Sequence, residues 1–131
     1  MSNREYVKGD GRQRERAYSP AVKITGGTVI YLAGHTGYQD EKGDPYPGNF
    51  DGQVRLAFER MRKTLETAGG KLDDIVTMTV FITDMANGTR FTHLRKEFFQ
   101  EGRYPASALI GIKELARPEM MIEIQAIAVV E

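Results

Sequence analysis

The sequence contains no cysteine and no tryptophan, and it carries no excess of either charge. Without cysteine the chain cannot form a disulfide, a thiol nucleophile or a thiolate metal site. The 18 Lys and Arg residues equal the 18 Asp and Glu residues, so net charge gives no long-range attraction for nucleic acid or anionic membranes. Any anion must therefore be bound by a local cluster of side chains.

Long apolar runs are lacking as well. None approaches the roughly 20 residues of a membrane-spanning helix, and residues 1–20 are too charged for a signal peptide. We therefore expect a cytoplasmic protein without membrane contact. At 131 residues the chain has the size of one compact domain.

The first 17 residues differ from the rest of the chain. They mix both charge signs with glycine and show no apolar period, which predicts a flexible or surface-lying arm over 1–17 before a single domain over 18–131. The arm holds three arginines interleaved with acidic residues, which we interpret as a solvated tail and not as a basic patch: Arg12, Arg14 and Arg16.

The periodicity of the remaining chain predicts seven elements. Residues 18–24 and 28–32 are β-rich and joined by Thr25-Gly26-Gly27, which predicts a β-hairpin. Helix, strand, helix, strand and strand follow, over residues 51–68, 75–82, 89–100, 104–112 and 121–129. The order β-β-α-β-α-β-β predicts an α+β fold with two helices packed on one face of a mixed sheet.

The last predicted strand alternates more cleanly than any other segment. Every second position holds an apolar residue: Ile122, Ile124, Ala126 and Ala128. The opposite face carries Glu123 and Gln125 between apolar neighbours. Burying these two side chains unpaired would cost on the order of a few kcal/mol, so they line a pocket, face a partner subunit or meet solvent.

Several segments carry a resemblance to a known family, in the same order along the chain. They are Ala17-Tyr18-Ser19-Pro20-Ala21-Val22, Leu72-Asp73-Asp74-Ile75-Val76, Thr79-Val80-Phe81-Ile82-Thr83-Asp84-Met85, Glu97-Phe98-Phe99, Tyr104-Pro105-Ala106 and Ile122-Glu123-Ile124. These segments resemble the RidA family, the YjgF-type reactive-intermediate deaminases. The resemblance implies a chorismate-mutase-like fold and a homotrimer that binds a small metabolite in clefts between subunits.

The family chemistry implied by the resemblance is hydrolysis of short-lived enamines and imines, such as 2-aminoacrylate, to keto acids and ammonia. No metal or organic cofactor takes part. Matched position by position, Glu123 is the family acid that positions or deprotonates water, and Tyr18 lies at the pocket rim. Ala33 begins the step that is Ser-Gly-Gln in the family, and Thr92 lies where many members have asparagine.

One position departs from the family signature. After Pro-Ala the family has an arginine that grips the substrate carboxylate, and this chain has Ser107. A hydroxyl cannot neutralise a carboxylate, and each lost charge-assisted hydrogen bond is worth roughly 1.5–3 kcal/mol. Two explanations stay open: another arginine reaches the ligand, from this subunit or its neighbour, or the ligand lacks a carboxylate. Spacing does not choose among Arg90, Arg103 and Arg117.

Histidine offers a second candidate for catalysis. His35 opens a loop over 34–48 that is dense in Gly, Pro and Asp, and histidine is the residue type most often used as a general acid or base. It is either a general acid or base in the pocket or a loop histidine bonded to nearby backbone. His93 lies far away in sequence on a charged helix, so the pair predicts no metal site.

Three functions follow from these residues. The leading hypothesis is a divergent RidA-like enzyme that hydrolyses an enamine, imine or related metabolite through Glu123 and His35, with Tyr18, Ala33, Thr92 and Ser107 binding the substrate. The second is a trimer that binds small molecules without catalysis. RNA cleavage or translation inhibition is disfavoured, because no run of Lys or Arg interleaves with aromatic residues.

Overall fold

The computed structural model describes residues 3–39, 42 and 49–131. Within these residues the chain forms six strands and three α-helices: β1 Asn3–Tyr6, α1 Gly11–Glu15, β2 Val22–Thr25, β3 Thr28–His35, α2 Phe50–Thr67, β4 Ile75–Ile82, α3 Gly88–Arg95, β5 Ala106–Gly111 and β6 Ile122–Val130.

Four of the strands form a mixed sheet in the order β3-β6-β4-β5. The pair β4-β5 is parallel and the other two pairs are antiparallel. A parallel pair needs a crossover connection, which α3 supplies between β4 and β5. Helices α2 and α3 pack on one face of the sheet, so the predicted α+β fold with two helices on a mixed sheet is confirmed.

The core lies between the helices and the inner face of the sheet. On α2 the residues Val54, Phe58, Met61 and Leu65 are fully buried. Phe58 stacks on Phe98 with ring centroids 4.6 Å apart. The sheet contributes the alternate residues of β6 that the sequence predicted: Ile122, Ile124, Ala126 and Ala128. Burial of each large apolar side chain contributes about 1.5–3 kcal/mol.

The predicted hairpin is wrong in its pairing. Its strands form, and Gly26 and Gly27 adopt φ angles of 78° and 87°. However, β3 pairs with β6, whereas β2 pairs with β1 in a separate two-stranded sheet. The strand β1 pairs with β2 in place of β3. Its position is held by Arg4, whose side chain donates hydrogen bonds to the carbonyls of Asp73 and Val129.

The N-terminal segment contains regular structure, which its composition did not predict. Residues 3–15 contain β1 and α1, and Asp10 with Gln13 forms a capping box at the start of α1. No residue of α1 is buried, so the helix leaves no apolar period in the sequence. The division of the chain at residues 17 and 18 stays a prediction.

The other boundaries differ by a few residues. Helix α3 ends at Arg95, five residues before the predicted end, and turns continue to Gly102, whose φ is 87°. Strand β3 extends to His35. The loop predicted over 34–48 falls largely outside the described residues. Among the helices in the described ranges, none is long and apolar enough to cross a membrane.

Candidate functional site

A small cleft opens where the end of α1, helix α3 and strand β5 meet. Its volume is about 190 Å³, and it is lined by Arg16, Tyr18, Thr92, Arg95, Ser107 and Leu109. Three of the four residues predicted to bind substrate therefore come together here, although the sequence separates them widely. They are Tyr18, Thr92 and Ser107.

Strand register directs Ser107 into this cleft. Ser107 is paired with Met78 of β4, which in turn is paired with the buried Ala126 of β6. Paired residues of neighbouring strands point to the same face, so Ser107 faces the helices. Next to it, the Ser19 amide and hydroxyl donate to the carbonyls of Pro105 and Tyr104, at 3.0 and 2.6 Å. These bonds hold the segment containing Tyr18 against β5.

Arg95 places a guanidinium directly against Ser107. Its Nη1 donates to Ser107 Oγ at 2.7 Å, and its Nη2 donates to the carbonyl of Arg16 at 2.9 Å. The guanidinium carbon lies 5.0 Å from the centre of the Phe91 ring, within cation–π range. The residue is only 2% exposed, and its Nε has no hydrogen-bond partner within the described part of the chain.

Within the described residues, Arg95 is a buried cation without a carboxylate partner. Burial, and then repulsion from Arg16, lowers the pKa of the Arg95 guanidinium to about 10, while Tyr18 and Tyr104 act in the opposite direction. The group is therefore still charged at neutral pH. The six residues that line the cleft include no carboxylate. A buried charge without an opposite charge is costly, so the cleft is suited to bind an anion.

The three arginines named from the sequence lie elsewhere. Arg90 pairs with Asp51 at 2.6 Å, and Arg103 pairs with Asp73 at 2.7 Å. Neither they nor Arg117 line the cleft. The sequence did contain a signal for Arg95. This residue lies four positions after Phe91 and three after Thr92, which places it on the inward face of the predicted helix.

Glu123 lies on the other face of the sheet. It is paired with Phe81, one position out of phase with the residues that face the helices. A bulge in β3 brings Gly34 under it, and a Cβ at Gly34 would lie 2.6 Å from Glu123 Oε2. Ala33 belongs to the same bulge and is exposed. Within one chain, therefore, Glu123 and Ala33 are separated from the cleft of Arg95 by the sheet.

His35 is bonded through both ring nitrogens. Its Nδ1 lies 2.8 Å from the carbonyl of Ala33, and its Nε2 lies 2.9 Å from the hydroxyl of Thr64 on α2. A carbonyl only accepts, so in the neutral ring Nδ1 carries the proton and Nε2 accepts from Thr64. The ring thus lies on the face of the sheet that packs against α2, away from Glu123. Its catalytic role stays a prediction without support from these contacts.

Metal ligands do not cluster in the described ranges. No group of three or more His, Cys, Asp or Glu side chains is placed there to hold an ion.

Comparisons with known proteins agree with this architecture. A family model described as Endoribonuclease L-PSP matches residues 12–130. The 2-iminobutanoate/2-iminopropanoate deaminase of Dermatophagoides farinae is 31% identical over 114 residues, which cover 87% of this chain and 86% of that protein. The RutC family protein YjgH of Escherichia coli (strain K12) is 34% identical over 111 residues, covering 84% and 82%.

A solved structure extends the comparison to the fold. The crystal structure of the Rid-family protein YyfB from Yersinia pestis has a TM-score of 0.86 at 22% identity, and covers 98% of this chain and 99% of that one. At that identity the likeness shows the fold alone. Together with the family model and the relatives above 30% identity, it leads to one assignment: the chain belongs to the RidA/YjgF family.

Proposed function

We propose that this protein hydrolyses imines and enamines of 2-oxo acids, with Arg95 in the role that the family gives to the arginine after Pro-Ala. The relative from Dermatophagoides farinae, named as a 2-iminobutanoate/2-iminopropanoate deaminase, supports this chemistry. The observation that carries the proposal is the 2.7 Å contact between Arg95 Nη1 and Ser107 Oγ. It brings a guanidinium next to Ser107, the neutral residue that replaces the family arginine.

In this proposal Arg95 and Ser107 both bind the carboxylate of the substrate. The guanidinium supplies a fixed positive charge beside Ser107 at the cleft. The Ser107 hydroxyl accepts from Arg95 and keeps its own proton for donation to a ligand. A substrate carboxylate would thus meet a positive charge next to a neutral hydrogen-bond donor.

The water-activating acid must come from a second copy of the chain. Glu123 faces away from the Arg95 cleft within one subunit, on a surface where Val29, Tyr31 and Ile110 are exposed. An apolar sheet face of this kind is suited to packing against another copy. We propose a homotrimer in which the Glu123 of one subunit meets the cleft of its neighbour.

The reaction then proceeds without a redox step. The enamine tautomerises to the imine, and a water molecule adds its oxygen to the imine carbon while one of its protons passes through the Glu123 carboxylate to the imine nitrogen. The carbinolamine formed in this way loses ammonia: Glu123 takes the hydroxyl proton and transfers it to the amino nitrogen, the C–N bond breaks, and the C=O bond forms. Imine and water are converted to a 2-oxo acid and ammonia, and the carboxylate is regenerated.

Exchange of two residues tests the relocated arginine. Arg95→Ser should lower kcat/KM for 2-iminobutanoate by about a hundredfold, because one charge-assisted interaction is worth up to about 3 kcal/mol. The double variant Arg95→Ser/Ser107→Arg restores the family signature and should recover most of that activity. Arg90→Ser, which removes an exposed arginine from the same helix, serves as the control. Full activity of the single Arg95 variant would refute the assignment.

Binding without catalysis is the second candidate, and one observation favours it: the cleft and Glu123 lie on opposite faces of the sheet. In that case 2-oxo acids bind in a manner that depends on Arg95, no imine is turned over above the uncatalysed rate, and Glu123→Gln behaves as the parent does. Ammonia release measured beside ligand binding separates the two functions. RNA cleavage, which the family model's description names, gains no support from the balanced charge of the chain.

A further inference from the structure

The two ends of the Arg95 guanidinium are held by different parts of the chain. Its Nη1 lies against the sheet, 2.7 Å from Ser107 Oγ and 3.7 Å from Met78 Sδ. The hydrogen bond of Nη2 runs to the N-terminal segment, to the carbonyl of Arg16 at 2.9 Å. Because Arg95 is only 2% exposed, loss of this carbonyl would leave Nη2 buried without an acceptor, which is a costly state. The Arg16 carbonyl therefore fixes the orientation of the planar guanidinium beside Ser107.

A turn at the end of α1 presents this carbonyl. Ala17 follows Arg16 with a φ angle of 62°, in the left-handed region that non-glycine residues rarely adopt. Its amide and the amide of Tyr18 donate to the carbonyls of Arg14 and Gln13, at 3.1 and 3.2 Å, which is the Schellman arrangement at a helix end. Ala17 is also fully buried, so packing and these two bonds together hold the turn.

The start of α1 is closed by a capping box. The Gln13 amide donates to Asp10 Oδ1 at 2.8 Å, and the Asp10 amide donates to Gln13 Oε1 at 2.9 Å. The helix has five residues and buries none of them, and helices this short are unstable without additional bonds. Neither Asp10 nor Gln13 lines the cleft of Arg95. The order of α1, and with it the place of the Arg16 carbonyl, thus depends on side chains outside the cleft.

We propose that α1 is a positioning element of the anion site, with Asp10 and Gln13 as positioning residues that act on Arg95 through the carbonyl of Arg16. The effect on a 2-oxo acid rests on the proposed function, whereas the dependence of Arg95 and the helix end on each other does not. Coupling of this kind is reciprocal. Loss of the capping box should weaken anion binding, and loss of Arg95 should loosen the end of α1.

Removal of the capping box tests the first direction, by isothermal titration of the full chain with 2-oxobutyrate. Asp10→Ala/Gln13→Gly removes both capping bonds and adds the backbone freedom of glycine. Its affinity should be about tenfold lower than that of the parent, because the binding-competent helix end is then formed only part of the time. Asp10→Asn/Gln13→Glu keeps the charge balance and a capping box, and should bind as the parent does. Asn49→Ala removes the N-cap of α2 and is the matched control, with lower stability and unchanged affinity.

Amide exchange followed by NMR tests the reverse direction without a ligand. Arg95→Met removes the donor to the Arg16 carbonyl, so exchange of the Ala17 and Tyr18 amides should become about tenfold faster. Arg90→Met, which replaces an exposed arginine of α3, should leave their exchange unchanged. The amides of β6 in the same samples report global unfolding and separate it from loosening of α1.

The outcomes separate this inference from the proposed function. Equal affinity of Asp10→Ala/Gln13→Gly and the parent, or an equal loss in Asn49→Ala, overturns the positioning role. If the parent binds no 2-oxo acid, the proposed function fails and the exchange measurement decides alone. Faster exchange confined to the end of α1 in Arg95→Met supports the coupling, and unchanged exchange overturns it in either case.

Discussion

Replacement of Arg95 by methionine distinguishes an arginine kept for ligand binding from one kept for stability. The drop of its pKa to about 10 reflects mainly burial, and at about 1.4 kcal/mol per pKa unit it corresponds to a penalty of about 3 kcal/mol on the charged form. Methionine has a similar length and no charge to desolvate. It leaves the carbonyl of Arg16 unpaired, at a cost of about 1–3 kcal/mol, while the half-buried Ser107 hydroxyl can turn to water.

These opposing effects nearly cancel. We expect the free energy of unfolding of Arg95→Met to lie within about 2 kcal/mol of the parent value, although the substituted side chain is almost completely buried. Urea unfolding at one fixed protein concentration measures it, because association makes stability depend on concentration. In the same samples, 2-oxobutyrate should raise the stability of the parent and not that of the variant.

A large loss of stability would refute this reasoning. If Arg95→Met is destabilised by more than about 4 kcal/mol, the value expected when a structurally required buried group is removed, then Arg95 is a packing and hydrogen-bonding residue. Its guanidinium would then have no role in ligand binding. A mild loss of stability together with complete loss of anion binding is the result that the structure predicts.

Three further substitutions test separate parts of the fold and site. Gly34→Ala places a Cβ 2.6 Å from Glu123 Oε2; the flexible carboxylate can move aside, so imine turnover should fall while the urea midpoint changes little. Gly37→Ala meets backbone atoms of α2 at 2.3 and 2.8 Å, which cannot move aside, so the loss of stability should reach about 3 kcal/mol; Gly11→Ala, with nothing within 4 Å, should have no such effect. Tyr31→Arg charges a side chain that is 78% exposed on the outer sheet face, and light scattering should show dissociation of the proposed trimer; an unchanged mass would contradict the proposed packing.

The helices and strands after residue 18 could be predicted because each buries one face. The apolar stripe of α2 and the alternation of β6 both arise from contact with a single core, so their periods appear directly in the sequence. The start of the chain follows another rule. Helix α1 buries none of its residues and is held by Asp10, Gln13 and the turn at Ala17, and such local side-chain and backbone bonds leave no period to detect.

The pairing of β2 and β3 was not predictable from their turn. Glycines at 26 and 27 indicate only that the chain bends with positive φ. The pairing partner of each strand lies far away in sequence: β2 pairs with β1 near the N-terminus, and β3 pairs with β6 near the C-terminus. Local turn chemistry cannot decide between such competing edges.

By itself the sequence determined the family, the α+β class and the position of Glu123 on the face of β6 opposite the core, because motifs and strand alternation are local properties of the chain. It also showed that the arginine expected after Pro-Ala is replaced by Ser107. Only the tertiary structure decided what stands in its place. The hydrogen bond of 2.7 Å between Arg95 and Ser107 forms because α3 packs against β5. The N-terminal segment contributes Arg16 to the lining of the same cleft. Contacts between residues so distant in the chain are set by the packed core and strand register, which no local pattern encodes.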